Sequence, residues 1–276
     1  MKIPLIIDLI KAELQADRVW DDVTGQLLDP SDNIPAIAAV LSRQNGIYCG
    51  DALISSFAQV LAPIKFHAIK VDGDAIQSGE TVLTLESDAR TCLSIERTLL
   101  NFLALSCAVA TETAHYVSAV KEYGVTILPT RKTLPMLREI QLLAVKAGGG
   151  QVHRRSLSDG ILIKDNHIHL SSIKSLLDRA TRQRSPLHRV EIEVESLVQL
   201  AEVLSQPLPD IIMLDNMSPS DARQAIEMIG GKCKIEISGG INLDTIRSFA
   251  QLRPDYISVG ALTHSIQSFD LCMEFT

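Results

Sequence analysis

The chain has 276 residues, 46% of them hydrophobic, with 26 Lys and Arg against 33 Asp and Glu and a formal net charge of −7 at pH 7. That length and apolar content suit one large α/β barrel or two domains with a sizeable core. The acidic balance excludes a general nucleic-acid binder, so a cluster of cations here points to a local site for a small anion. The five cysteines are scattered, odd in number and without a CxxC pair, which excludes a disulfide framework and a cysteine zinc site and predicts reduced thiols.

Residues 3–16 carry helical apolar spacing, and WDDVTGQLL after them reads as a loop with an acidic tip. The opening apolar run is broken by Asp8 and Lys11, too early for a signal peptide, and no uninterrupted span of 18 apolar residues follows. A cytoplasmic protein with no membrane partner is expected. PAIAAVLSRQNGIYCG alternates in short stretches and FHAIKVDGDAIQSGETVLTLES holds two strands with glycine-punctuated turns, which predicts a small sheet with helices on it. RTCLSIERTLLNFLALSCAVATETAHYVSAVKEYG is one long helix. Beyond it, VTILPT, GILIKDN, RVEIEVES, DIIMLDN, KIEISGG and DYISVGA each end in polar residues or glycine and are followed by amphipathic helical text. That serial βα punctuation predicts a parallel barrel, incomplete because the strands fall short of eight.

The polar residues closing the last four strands, Glu193, Asp215, Ser238 and Ser258, stand 22, 23 and 20 positions apart, about one βα unit each, which puts them on one rim. Into that rim fall the cations Arg131, Lys132, His153, Arg154 and Lys164, the acids Glu193 and Asp215, and the turns SGGIN and SVGAL. Guanidinium and ammonium groups match carboxylate or phosphate oxygens. Carboxylates beside them can hold ribose hydroxyls or the Mg²⁺ that accompanies a pyrophosphate. Turn amides near helix starts suit a phosphate. Singly, each signal has a plainer reading: GGG is a flexible connector, a strand-end Glu is a solvated cap, and His167, His169 and His264 are structural or exposed. Lys164 is different, because it interrupts the apolar strand ILIK where a buried ammonium needs a partner or a bound anion.

In order along the chain, IERTLLNFL, TRKTLPMLR, AGGGQVHRRSLSDGILIKDNH, EIEVES, MLDN, EISGGI and ISVGALTHS resemble the signature blocks of the quinolinate phosphoribosyltransferase family, also called nicotinate-nucleotide pyrophosphorylase (carboxylating). The resemblance implies an N-terminal α/β sandwich domain over 1–108, onto which 265–276 packs back, and an incomplete parallel α/β barrel over 109–264. It implies a homodimer or higher oligomer with active sites shared between subunits. The implied pentosyl transfer joins quinolinate and phosphoribosyl pyrophosphate, with Mg²⁺, and gives nicotinate mononucleotide, pyrophosphate and CO₂ on the route to NAD.

Carried over position by position, the resemblance assigns Arg131, His153, Arg154 and Lys164 to quinolinate, with Arg97 arriving from the other subunit, and counts Thr130 among the substrate-binding residues. Lys132 lies between the substrates. Glu193 and Asp215 hold the ribose hydroxyls and the metal, while Ser238, Gly239, Gly240, Val259, Gly260 and Ala261 cradle the 5′-phosphate near His264. Lys132, Lys164, Glu193 and Asp215 are the expected catalytic group. Two positions depart from the family pattern: Pro129 stands where Asp usually precedes TRKT, and Met136 where Gly usually follows Pro. Alternatives are a nicotinate-using sister enzyme, the pyrophosphorylase-like protein of molybdate-transport type, and a non-catalytic barrel that binds phosphorylated metabolites. The IKDNH lysine and the two-carboxylate charge demand favour quinolinate.

Overall fold

The computed structural model describes residues 3–28 and 34–275. Residues 1, 2, 29–33 and 276, which fall within the domain spans expected from the sequence, lie outside the described residues. The helices are α1 (Ile3–Ala16), α2 (Asp51–Val60), α3 (Ala89–Val120), α4 (Arg138–Ala147), α5 (Asp165–Leu170), α6 (Ile173–Gln183), α7 (Leu197–Leu204), α8 (Pro219–Ile229), α9 (Ile246–Ala250) and α10 (Ala261–His264). The strands are β1 (Pro35–Ser42), β2 (Gly46–Ile47), β3 (Lys65–Ala68), β4 (Ala75–Ile76), β5 (Thr81–Asp88), β6 (Thr126–Pro129), β7 (Ile161–Ile163), β8 (Val190–Val194), β9 (Ile211–Asp215), β10 (Lys234–Ser238), β11 (Tyr256–Val259) and β12 (Leu271–Phe275). Two compact units share the chain. One is Met1–Ala114, Thr133–Gly149 and Ile266–Thr276; the other is His115–Lys132 and Gly150–Ser265.

The first unit is built on an antiparallel sheet ordered β12-β1-β5-β3. The segment expected to hold two strands holds three, because β4 is a two-residue ribbon against β2, too short to show alternation. Ile95, Leu99, Leu100 and Leu103 make the buried stripe of α3, packed in one core with Phe57, Val40, Leu83 and Leu85. The span 89–123 is long and apolar enough to cross a membrane, yet 61% of its most apolar window is buried, as in a core helix. The glycine run after α4 is a site of close approach: a Cβ on Gly148 would lie 2.3 Å from the Ala110 carbonyl oxygen of α3, so only glycine lets the two backbones meet.

The second unit is a six-stranded parallel sheet ordered β6-β11-β10-β9-β8-β7. Strands β7 to β11 lie side by side in sequence order, as right-handed βα repeats dictate. β6 joins beyond β11, and β6 and β7 end the order without pairing to each other, which leaves the barrel open. The backbone amide of Gln151 donates to the Ile127 carbonyl at 2.9 Å along the free side of β6. Pro129 closes β6 opposite Val259; its missing N–H is tolerated because β6 is an edge strand. Ser172, Ser196 and Ser218 cap α6, α7 and α8, each accepting from the backbone amide three residues on. Every residue of β8 is buried, so its alternating Val-Glu-Ile-Glu-Val puts apolar side chains on one covered face and carboxylates on the other.

Candidate active site

The strand ends of the second unit bring most of the expected residues into one neighbourhood. At the end of β6, the Thr130 hydroxyl accepts from the Lys132 amide at 3.1 Å, and the Lys132 carbonyl accepts from the Thr263 hydroxyl of α10 at 2.8 Å. The turn carrying Arg131 and Lys132 is thereby tied to the turn after β11. There Gly260 sits against His264 and Thr130, its Cβ position 2.9 Å from the His264 Nε2 and 3.6 Å from the Thr130 Oγ1. Val259 is fully buried and can offer only backbone, whereas His264 is exposed and its Nδ1 lies 2.6 Å from the Ser265 hydroxyl.

At the ends of β7 and β8, the Lys164 ammonium donates to the buried Glu193 carboxylate, so the lysine that interrupts an apolar strand has its partner. Lys164 also begins α5, where its backbone amide donates to the His167 Nδ1 at 3.0 Å. Burial pushes the Glu193 carboxyl up, Lys164 pulls it back, and the charge of Asp215 pushes it up again; on balance it stands above the usual range. Asp215 closes β9 beside Ser238 of β10 and accepts from the Asn216 side-chain amide at 2.6 Å. Glu193, raised by the nearby Asp215 charge, and Asp215 itself stand at neighbouring strand ends and are the oxygen donors here that could hold Mg²⁺. Gly239 follows with φ +90°, and a Cβ on it would fall 2.3 Å from the Asn216 Oδ1; Gly240, with φ +63°, is open. Both glycines hold positive φ, a backbone that glycine adopts without strain, so the chain turns tightly as it leaves β10.

The third group is cationic. Arg154 is half-buried; burial and the neighbouring Arg131 guanidinium both disfavour its charge, with Glu191 and Asp159 only partly offsetting them. Among the described residues neither Arg131 nor Arg154 is in an ion pair. Next to Arg154, His153 Nε2 lies 2.7 Å from Glu191 and 3.4 Å from Glu236. Burial alone would lower the imidazole, but the Glu191 hydrogen bond and the charges of Glu236 and Glu191 hold it above its ordinary value. Burial, reinforced by the Glu191 charge, lifts the Glu236 carboxyl to about 8. A cavity of about 400 Å³ reaches this group, lined among others by Leu128, His153, Arg154, Glu191, Glu236 and Tyr256.

Glu191 and Glu236 were absent from the sequence-based site. The signal that exposes them is an acid at alternate positions of a strand in a parallel sheet, where both faces are covered and no carboxylate can be a solvated cap. Arg97 belongs to the first unit; its side chain is 67% exposed and 3.6 Å from Glu96.

Family models of the quinolinate phosphoribosyl transferase N-terminal and C-terminal domains match residues 22–107 and 109–274. A probable nicotinate-nucleotide pyrophosphorylase [carboxylating] of Methanocaldococcus jannaschii is 36% identical, covering 97% of this chain and 96% of that protein. The nicotinate-nucleotide pyrophosphorylase [carboxylating] of Mycobacterium leprae is 35% identical over the same shares of the two chains. Among solved structures, the nicotinate-nucleotide pyrophosphorylase of Francisella tularensis superimposes with a TM-score of 0.92 at 32% identity, covering 100% of this chain and 98% of that one.

Proposed function

Because this chain belongs to the quinolinate phosphoribosyltransferase family, we propose that its open barrel works through the three groups of residues described above, one for each part of the reaction. The reaction is transfer of the phosphoribosyl group of phosphoribosyl pyrophosphate to quinolinate with decarboxylation, which yields nicotinate mononucleotide, pyrophosphate and CO₂ and serves de novo NAD synthesis.

The observation that carries the assignment is the Arg131 and Arg154 pair: the Arg131 guanidinium disfavours the charge of half-buried Arg154, and among the described residues neither is in an ion pair. A dianion relieves that repulsion, and each guanidinium can grip one carboxylate in a bidentate fork. His153 adds charge at the cavity that it lines with Arg154, Lys164 adds its ammonium from the end of β7, and Thr130 stands at the end of β6. Ser238, Gly239, Gly240, Gly260 and Ala261, with the backbone of Val259 and the exposed His264, take the 5′-phosphate. Glu193 and Asp215 face the ribose, whose anomeric carbon gains positive charge as the bond to pyrophosphate breaks; nearby carboxylates stabilise that charge. Lys132, tied in place through its own carbonyl, lies between the substrates and meets the departing pyrophosphate. Glu193 and Asp215 would also hold Mg²⁺, which neutralises pyrophosphate charge when bound.

Loss of CO₂ then needs an electron sink, and the cationic pyridinium of the ribosylated intermediate is that sink. The pocket therefore has to hold the 2-carboxylate without over-stabilising it relative to the transition state. Arg97, exposed and among the described residues in an ion pair only with Glu96 at 3.6 Å, is proposed to complete the pocket of a partner subunit, so that the working unit is at least a homodimer. Five free cysteines, three of them buried, suit a reduced cytoplasmic setting.

The test is direct: purified protein, quinolinate, phosphoribosyl pyrophosphate and Mg²⁺, followed for nicotinate mononucleotide and pyrophosphate. Product is expected from quinolinate and not from nicotinate, and chelation should abolish it. Equal turnover of nicotinate would overturn the dianion pocket.

A further inference from the structure

One buried cluster has no part in the reaction as derived above. Glu191 and Glu236, on β8 and β10, are 4% and 0% exposed, and their carboxyls converge on the Nε2 of His153. The Ser258 hydroxyl of β11 donates to the Glu236 Oε1 and fixes that carboxyl from behind. The remaining oxygens, Glu191 Oε1 and Glu236 Oε2, are buried without a hydrogen-bond partner. Two acids inside a barrel destabilise it unless protons or a cation neutralise them.

A metal ion is one way to do so, since the ligand atoms of His153, Glu191 and Glu236 lie within 4.8 Å of one another. The distances argue otherwise. Two ligands of one tetrahedral zinc stand about 3.3 Å apart when each bond is about 2.0 Å, whereas the imidazole and Glu191 are 2.7 Å apart, a hydrogen bond. A protonated imidazole supplies both the bond and the counter-charge for Glu191, while Glu236, lifted to about 8 by burial, keeps its own proton.

We propose that Glu191 and Glu236, the latter locked by Ser258, are positioning residues that clamp His153 through Nε2 and hold it as an imidazolium with its Nδ1–H committed to a carboxylate of quinolinate. The clamp rests on the assignment of His153 to that substrate. It sets the ring's orientation as well as its charge, because both acids come from rigid parallel strands while His153 lies outside the regular elements. Arg154, the next residue along, is carried by the same anchored backbone. The pocket's specificity for a dianion thus begins in the barrel interior.

The test is a steady-state double-mutant cycle in the intact protein with both substrates, the wild-type product assay being read first. Glu191→Gln should raise the KM for quinolinate by about tenfold or more, the factor expected for one charged hydrogen bond, while the KM for phosphoribosyl pyrophosphate changes by less than about twofold. In a His153→Ala background the same substitution should add nothing, because a residue acting through His153 has no further effect once His153 is gone. Equal losses for both substrates, or losses that add in the double variant, overturn the clamp while wild-type turnover keeps the function intact. If Glu191→Gln does not accumulate as folded protein, Ser258→Ala carries the same comparison: a selective rise of a few-fold for quinolinate supports the clamp, and none overturns it. A quinolinate affinity restored by Zn²⁺ after chelation, in excess Mg²⁺, would make the cluster a metal site and overturn it as well.

Discussion

Lys164→Ala tests the pairing at the ends of β7 and β8. The substitution leaves Glu193, with a side chain 5% exposed, facing a cavity where an ammonium had been. A hydrogen bond between charged groups contributes about 1.5–3 kcal/mol. The Lys164 side chain is 43% exposed, so solvent screening brings the expected loss to roughly 2 kcal/mol or a little less. That corresponds to a fall in Tm of about 4–8 °C for a unit of this size. The sign of its pH dependence follows from Glu193, whose carboxyl already stands above its ordinary value through burial and rises further without Lys164. An acid raised in the folded state loses stability as pH climbs from its unfolded pKa through its folded one. The deficit should therefore be full at pH 8 and shrink as pH falls toward the ordinary carboxyl range. Glu193→Gln placed on top of Lys164→Ala should restore the melting temperature without restoring turnover. Calorimetric scans from pH 5 to 8 read all of this. A variant that melts with the wild type at pH 8, or a deficit that does not change with pH, would refute the reasoning.

Gly239→Ala forces a Cβ to 2.3 Å from the Asn216 Oδ1 at a φ of +90°; a loss of at least about 1–2 kcal/mol is expected, with a raised KM for phosphoribosyl pyrophosphate and little change for quinolinate. Met136 holds a φ of +64° on the surface, so Met136→Gly should stabilise by up to about 1 kcal/mol in urea titrations, and a destabilised variant would show that the side chain is held by something else. Mixing inactive Arg97→Ala with inactive Lys164→Ala under subunit exchange should return activity toward about a quarter of normal, because half the dimers are mixed and each has one intact site; no recovery despite proven exchange would mean that Arg97 acts within its own chain.

The six strands of the parallel sheet were readable because each apolar run is closed by a polar residue and followed by an amphipathic helix, as in DIIMLDN ahead of the Ser218 cap. β4 was not, since two residues carry no period. Lys164 was legible as an ammonium needing a partner, but that its partner is Glu193 depends on the β7–β8 register, in which Ile163 lies opposite Ile192 and the rim residues follow. The inward acids escaped because VEIEV looks the same whether its polar face is wet or enclosed. Only knowing that both faces of β8 are buried tells the two apart. Arg97 shows the opposite limit: its pattern is that of a solvated arginine, and no periodicity distinguishes an arginine that serves a neighbour from one that serves none.

The discontinuity of the first unit has a consequence for how the protein comes off the ribosome. β1 emerges early, yet its outer edge is covered by β12, more than two hundred residues later. Throughout synthesis of the second unit, the row of amides and carbonyls along β1 stays uncovered, an open template for another nascent chain. The second unit is also interrupted, since Thr133–Gly149 is threaded away before Gly150 resumes it. No single cut therefore yields two whole units, and a stop codon ahead of Leu271 would release a chain whose earliest sheet is still unfinished.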